Sequence, residues 1–316
     1  MAGNQVSVCE PRVEIEESGV ALPKRTPKDR SQFLRVLRKC IDKTGIDLGD
    51  RVLVVGGTQD DARFLSSCGF SRITLSNISG APDVSDGLND IPVPVVAVDA
   101  EDIQLPDNSY DIVFFHEVIH HCRSPHRALC EMLRVSRRYV LMMEPNDSAC
   151  MRLLCRMRFS FPYEIFAVVN NDYVCGGVRN SPIPNFILRW NAWAVHQLTS
   201  AFLPEYTLRI HADPYWDFNA SEKNLASRKQ TRIGLITRMI GATNFLRALR
   251  ALQRVLNFVP VLRRQGNKFF CCIQKSADLK PWLMLDSDGA VIFNRNFQRR
   301  QPDSEPHSGA KDSRRA

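Results

Sequence analysis

Apolar runs separated by polar turns dominate residues 50–147 and give the first indication of the fold. Apolar, β-branched runs predict five strands at 51–55, 73–76, 95–98, 110–115 and 139–143. Helical spacing predicts helices at 60–68 and 125–135 between them. Strands without a polar face that alternate with helices are typical of a parallel sheet covered on both sides. The predicted fold class is therefore α/β, with a doubly wound, mostly parallel sheet.

The flanking segments complete the predicted domain organisation. A helix is predicted at 31–43 and another at 187–203, and strands at 206–212 and 268–275 would form a hairpin that closes the sheet. We place one domain at 30–276, with its core at 50–147 and a helical cap and basic insertion within 159–266. Residues 1–29 resemble a polar tail, and 277–316 form an extension that we expect to be largely disordered after residue 300.

Composition narrows the class of protein. The chain has 316 residues, 44% of them hydrophobic, which is enough for a sizeable core. Its ten cysteines show no paired spacing, so we interpret them as thiols in a reducing compartment, and no His/Cys spacing predicts a metal site. No signal peptide and no apolar run of about 20 residues is present, so the predicted location is cytoplasmic.

The net charge of +8 comes from one segment, since residues 222–268 hold eleven Lys and Arg against one Glu. Within it, 244–259 predicts an amphipathic helix with Arg247, Arg250 and Arg254 on its polar face. Its predicted apolar face consists of Phe245, Leu249, Leu252, Leu256 and Val259. Such a helix either packs on its own domain or makes a peripheral contact with an anionic membrane. Nucleic acid is not favoured, because aromatic residues are not interleaved with the charge.

Ligands of parallel sheets bind beyond the carboxyl ends of the strands. The residues at those positions are Gly56, Asn77, Asp99, His116 and Glu144. The first of them opens a Gly56-Gly57 turn between a strand and a helix, where backbone N–H groups can meet a carboxylate or phosphate. A ligand site at this edge of the sheet is therefore predicted.

The segment 98–113 reads VDAEDIQLPDNSYDIV: an aspartate after a strand, a Leu-Pro turn, and an Asp-x-Ser-Tyr-Asp entry to the next strand. With HEVIHH at 116–121, LRV at 133–135 and LMMEPN at 141–146, it resembles the class I S-adenosylmethionine-dependent methyltransferases, specifically the type 11 group related to quinone methylases. The resemblance covers about residues 50–147. It implies a Rossmann-like methyltransferase fold, S-adenosylmethionine as cofactor, and methyl transfer as the activity.

The resemblance also implies roles for the residues at the strand ends. Asn77 would meet the ribose hydroxyls, and Asp99 would accept a hydrogen bond from the adenine amine. Ala100 and Glu101 would lie beside the adenine ring. The methionine end of the cofactor would be lined by Gly56, Gly57 and His116. Asp111 is interpreted as structural, at the entry to its strand.

Methyl transfer needs a general base only for an acceptor of high pKa such as a hydroxyl. The candidate catalytic residues are His116, His120 and His121, of which the last two could equally pack at the start of the next helix. Aromatic residues with Gly and Pro between them at 159–193 are typical of a lid over a small-molecule pocket. We expect methylation of oxygen more than of nitrogen or carbon, on a small-molecule, sugar or lipid-linked acceptor.

Two departures from the family pattern keep a second function open. Val54, Thr58 and Asp60 replace the first acidic residue and the last two glycines of the usual glycine motif, and Asn77 replaces the usual acid of the second strand. An uncharged acceptor forms a weaker hydrogen bond than a carboxylate. The alternative is a catalytically silent, methyltransferase-like binding or scaffold protein.

Overall fold

The computed structural model describes residues 32–79, 92–218 and 237–297, so the predicted polar tail and the segment after residue 300 lie outside it. A seven-stranded sheet has the order β3-β2-β1-β4-β5-β7-β6. Its strands are β1 (Arg51–Val55), β2 (Arg72–Asn77), β3 (Val95–Ala97), β4 (Tyr110–His116), β5 (Ser136–Pro145), β6 (Tyr206–Tyr215) and β7 (Lys268–Leu279). The first five pair in parallel, and β7 is antiparallel to both β5 and β6. The predicted mostly parallel sheet and its closing hairpin are confirmed.

The helices flank the sheet on both sides. They are α1 (Gln32–Thr44), α2 (Gln59–Ser67), α3 (Pro125–Val135), α4 (Ala149–Arg156), α5 (Ile165–Val169) and α6 (Ala192–Phe202). α6 begins five residues later than the prediction from 187, because Asn191 caps it: its Oδ1 accepts the N–H of Ala194 at 2.9 Å. The remaining predicted helices agree with the structure to within a residue or two.

The core consists of two apolar layers, one on each face of the sheet. On one face, Phe33 and Leu37 of α1 pack with Phe114 of β4. On the other, Leu129 of α3 packs with Phe115, the next residue of the same strand. Successive strand residues point to opposite faces, so a strand buried on both sides must be apolar at every position. This explains the uninterrupted apolar runs in the sequence.

The basic insertion between β6 and β7 contains α7 (Ala242–Phe258) and α8 (Pro260–Arg263). The predicted apolar face of α7 is partly wrong: Leu252 is 49% exposed, whereas Leu246 is buried. The helix meets the domain along a polar stripe, where Gln253 accepts the N–H of Phe218 at 2.8 Å and Asn257 the N–H of Trp216 at 2.9 Å. These contacts rotate Leu252 toward the surface. Membrane contact through the exposed Arg247, Arg250 and Arg254 stays a prediction.

The C-terminal extension holds a small hairpin that was not predicted, β8 (Leu283–Leu285) paired with β9 (Val291–Phe293). Its strands lie largely at the surface and lack the buried pattern that marks a strand in a sequence. Among the described residues, no helix is long and apolar enough to cross a membrane. Every cysteine in the described part of the chain is a free thiol.

Candidate active site

The carboxyl ends of the parallel strands bring the predicted site residues to one edge of the sheet. β1 and β2 pair Val55 with Ser76, so the next residues of the two strands, Gly56 and Asn77, lie side by side at the edge of the sheet. Asn77 in turn is opposite Ala97, and its carbonyl oxygen accepts the N–H of Val98 at 2.8 Å, just before Asp99. Asp111 lies at the opposite edge, where its carboxylate accepts the N–H of Arg51 at 2.9 Å. This position, away from the predicted cofactor edge, fits the structural role expected for Asp111.

The glycine turn after β1 is required by packing. Gly56 adopts φ +62°, and a Cβ there would lie 2.6 Å from Cγ1 of Val118. A Cβ on Gly57 would lie 2.3 Å from Cγ1 of Val54. The N–H of Thr58 donates to the Asp61 carboxylate at 2.9 Å, so the start of α2 is capped from within the chain. The turn therefore has fewer free donors for a ligand than the sequence suggests.

Asp99 and Glu101 share an arginine from the cap. Asp99 accepts Nη2 of Arg179 at 2.5 Å through one oxygen and the N–H of Glu101 at 3.0 Å through the other. Glu101 accepts the N–H of Ser124 at 2.7 Å and Nη1 of Arg179 at 3.3 Å, and so holds the loop before α3. Arg179 is 44% exposed, and ion pairs of this kind are weak. An adenine amine could therefore compete for Asp99.

His116, the last residue of β4, is held between α1 and α2. Its Nδ1 lies 2.8 Å from Asp61 Oδ1, and its ring stacks on Phe33 with centroids 5.1 Å apart. Burial lowers the pKa of His116, but the hydrogen bond and charge of Asp61, with the charge of Glu117, outweigh burial and the opposing Lys268, so the pKa is raised. Because Nδ1 is engaged by Asp61 and the ring stacks on Phe33, these contacts favour a structural role for His116 over that of a general base.

The Asp61–His116 pair makes a prediction about pH. Because the folded-state pKa is raised, the pair's contribution to stability is complete below the ordinary histidine value of about 6.5 and is lost as the pH rises through the raised value. Asp61→Asn keeps an acceptor for Thr58 but removes the charge, so the pKa of His116 should fall. NMR titration of the ring protons measures it. His211, whose pKa is lowered by burial and by Lys43 and Arg209, should titrate unchanged in both proteins, and an unaltered His116 would contradict the assignment.

Next to the Asp61–His116 pair, Glu117 forms a partly buried ion pair with Lys268 at the start of β7. Burial opposes ionisation of Glu117, but the charges of Lys268 and His116 lower its pKa to about 2. Glu117 adopts φ +54°, a conformation rarely seen outside glycine. The pair fixes the chain direction between β4 and the next turn.

Glu144, at the end of β5, organises the turn that carries the other two histidines. Its buried carboxylate accepts the N–H groups of Val118 and Ile119 at 2.9 and 3.1 Å through one oxygen. The other oxygen lies 2.6 Å from Nδ1 of His120. Glu144 thereby fixes both the 3₁₀ turn Ile119–His121 and the orientation of the His120 ring.

The two rings converge with Glu164 from the cap, and we call His120, His121 and Glu164 the histidine–glutamate cluster. Oε2 of Glu164 lies 3.3 Å from Nε2 of His120 and 3.4 Å from Nε2 of His121. Burial lowers the pKa of His120, but Glu144 and Glu164 raise it to about 10. Burial and the neighbouring His120 lower the pKa of His121.

A cavity of about 590 Å³ adjoins this cluster. It is lined by His120 and by residues of the cap and of the loop before α3, among them Cys122, His126, Val178, Asn185 and Phe186. A cavity that has apolar walls and a few polar groups is typical of small-molecule sites. The predicted lid segment at 159–193 therefore does border a pocket.

Several residues of this site were not found from the sequence. Glu164, Arg179 and Asn185 come from the cap, and Lys268 comes from the distant strand β7. Only the aromatic composition of 159–193 pointed to that region, and it did not single out these side chains. Their positions depend on tertiary contacts.

Several solved structures resemble this fold at low sequence identity. The putative methyltransferase in complex with the Trm112 methyltransferase activator from Haloferax volcanii is 13% identical, with 77% of this chain and 89% of that one covered and a TM-score of 0.45. The YcgJ protein from Bacillus subtilis is 13% identical (78% and 98% covered, TM-score 0.42). The plantazolicin methyltransferase BamL, in complex with a triazolic desmethylPZN analog and SAH, is 15% identical (77% and 83%, TM-score 0.43). No curated protein matches this chain significantly.

The family model described as a methyltransferase domain, of the type 11 group, matches residues 56–141. This segment runs from the glycine turn into β5, and includes Asn77, Asp99 and the turn with His120 and His121. It has the order of elements of a class I S-adenosylmethionine-dependent methyltransferase domain. The match supports an enzyme that uses S-adenosylmethionine as its cofactor.

The residues at the strand ends fit the adenosine end of that cofactor. Asn77 and Asp99 present polar side chains at adjacent strand ends, half-buried, as ribose and adenine contacts require. The methionine end differs from the family pattern, because Asp61 already caps the turn and Val118 covers Gly56. The assigned roles of Gly56, Gly57, Asn77, Asp99, Ala100, Glu101 and His116 in binding stay predictions.

Asn77 allows a direct check of the ribose contact. Its Oδ1 accepts the Ser79 hydroxyl at 2.9 Å, and an aspartate at this position would retain that bond. Asn77→Asp should bind S-adenosylhomocysteine as tightly as the wild type or more tightly, because a charged acceptor strengthens the ribose bond. Asn77→Leu should weaken binding by about 1 kcal/mol. A large loss in Asn77→Asp with the fold intact, measured by calorimetry, would show that the residue lies elsewhere.

Proposed function

We propose that this methyltransferase modifies an oxygen atom of a small acceptor bound in the cavity beside the histidine–glutamate cluster. The observation that carries the proposal is the position of this cluster: its two histidines lie just after β4, on the cofactor edge of the sheet, and His120 lines the cavity. Both a donor site and an acceptor site can then meet at the same strand ends.

A hydroxyl acceptor needs help that an amine does not, because its proton must leave during transfer. Nδ1 of His121 lies 3.4 Å from the carbonyl oxygen of Gly177, and a proton on Nδ1 would satisfy that oxygen. In that tautomer of the neutral ring, Nε2 of His121 is the atom with a lone pair, on the side of the cluster. This arrangement favours oxygen over nitrogen or carbon as the methylated atom.

Asn77 and Asp99 would hold the cofactor, and Glu144 would hold the turn that joins cofactor site and cavity. S-adenosylmethionine supplies a methyl group already activated on a sulfonium. The chain's own part is to position the acceptor in line with that methyl and to exclude water. The apolar cap residues Val178, Ile183 and Phe186 line the cavity and would exclude water from it.

The test is a transfer assay with isotopically labelled S-adenosylmethionine and a panel of phenols, sugars, lipid-linked sugars and matched amines. We expect label in oxygen-methylated products. His121→Gln should lower kcat at least tenfold, whereas His196→Gln, which changes an exposed histidine stacked on Trp193, should not. Exclusive transfer to amines would contradict the proposal.

A further inference from the structure

We propose that His120, His121 and Glu164 form a binding site for a divalent transition-metal cation, with zinc as the representative ion. The ligand atoms of the three residues lie within 4.8 Å of one another. The inference rests on the proposed function, since the cation would hold and acidify the acceptor hydroxyl. It replaces the expectation of no metal site, which considered spacing along the chain and therefore missed Glu164.

Two of the distances between the ligand atoms suit a tetrahedral ion. Zinc binds imidazole nitrogen and carboxylate oxygen at about 2.0–2.1 Å, so two ligand atoms of a tetrahedron lie about 3.3–3.4 Å apart. Oε2 of Glu164 lies 3.3 and 3.4 Å from Nε2 of His120 and His121, respectively. Two imidazoles and one carboxylate leave one coordination position open, as catalytic zinc sites do.

The second shell orients both rings for metal binding. Nδ1 of His120 faces the Glu144 carboxylate at 2.6 Å, and Nδ1 of His121 faces the Gly177 carbonyl at 3.4 Å. With a proton on each Nδ1 toward these acceptors, both rings can offer Nε2 to a cation beside the same carboxylate oxygen. Carboxylate–histidine–metal arrangements in known sites have this pattern.

One carboxylate oxygen of Glu164 is shared by both rings, whose centroids lie 4.5 Å apart. One cation among the three ligand atoms would accept a lone pair from each of them and join them in a single site.

The cap is built to hold Glu164 in place. The side-chain Nδ2 of Asn185 donates to Oε2 of Glu164 at 3.3 Å. The backbone carbonyl oxygen of Asn185 accepts the backbone N–H of Glu164 at 3.0 Å. Asn185 is fully buried, and its Oδ1 has no hydrogen-bond partner among the described residues. A buried acceptor without a donor is costly, and a water or hydroxyl on the cation's open position could supply that donor. Asn185 also lines the cavity.

A Lewis acid at this position lowers the pKa of a bound hydroxyl. During transfer the acceptor oxygen forms its bond to the methyl carbon while the methyl–sulfur bond breaks. The electron pair of that bond stays on sulfur, and the hydroxyl proton passes to solvent. The cation thus replaces a general base, with the two histidines as its ligands.

The test is calorimetric titration of the metal-free full chain with zinc chloride, without cofactor. We expect one zinc per chain, and at least tenfold weaker binding in His121→Gln and in Glu164→Gln. His196→Gln controls for adventitious binding by an exposed histidine and should bind as the wild type does. Circular dichroism of the zinc-free variants checks that they are folded. Cobalt substitution should give the visible absorption of a tetrahedral site in the wild type and in His196→Gln, but in neither cluster variant.

Absence of stoichiometric binding, or equal affinity in wild type and both cluster variants, would overturn the metal site. Binding of S-adenosylhomocysteine in the presence of a chelator is measured separately. If the cofactor product binds and zinc does not, the metal site is wrong and methyl transfer stands. If zinc binds and the cofactor product does not, the cation site stands and its role in methyl transfer is overturned.

Discussion

Replacing Glu144 by alanine is expected to lower the free energy of unfolding by about 3–5 kcal/mol, since removing one partner of a buried ionic network leaves the others uncompensated. The carboxylate is fully buried, and its loss would leave two backbone N–H groups and Nδ1 of His120 without an acceptor. Urea denaturation of the metal-free proteins measures the difference.

The matched variant is Glu144→Gln, which keeps an oxygen for the N–H groups of Val118 and Ile119 and removes only the charge that faces His120. It should lose clearly less stability than Glu144→Ala. Glu164→Ala, at a half-exposed position, provides a second reference. Equal stability of wild type and Glu144→Ala would show that the turn after β4 is held by other contacts.

Replacing Asp99 by alanine is expected to weaken binding of S-adenosylhomocysteine by about 1–3 kcal/mol, or roughly 5- to 150-fold, through loss of the adenine contact. Asp99 also binds Arg179, so that variant changes two interactions at once. Arg179→Gln separates them: it releases Asp99 from competition and should leave the affinity unchanged or increase it. Loss of affinity in Arg179→Gln, with none in Asp99→Ala, would assign the cofactor contact to the arginine instead.

The sheet could be predicted from the sequence because its central strands are buried on both faces. An apolar run such as 51–55 fits a strand that is buried on both faces, and no strand with one polar face fits it equally well. β8 and β9 were missed for the opposite reason: Val291–Phe293 is exposed and short, so no pattern of burial marks it. The packed face of α7 was wrong because polar residues, Gln253 and Asn257, make its contacts with the domain.

The positions of the strand-end residues were predictable because they depend on topology. Asn77, Asp99 and Glu144 each end a strand or follow one, and a parallel sheet places these positions side by side. The partners that decide their chemistry were not predictable in this way. Glu164 and Arg179 reach the site from a cap whose course is set by contacts such as that between Gly177 and Ile183, which no local pattern of residues reveals.

Cofactor binding is the property on which the proposed activity depends. The strand order and the match over residues 56–141 support it, whereas the glycine motif departs from the family pattern. Isothermal titration of the wild-type chain with S-adenosylhomocysteine, with S-adenosylmethionine in parallel, tests it most directly. The account predicts saturable binding of one molecule per chain, weakened in Asp99→Ala. No detectable binding at millimolar concentration by the folded protein would contradict it, and would favour a methyltransferase-like scaffold without catalytic function.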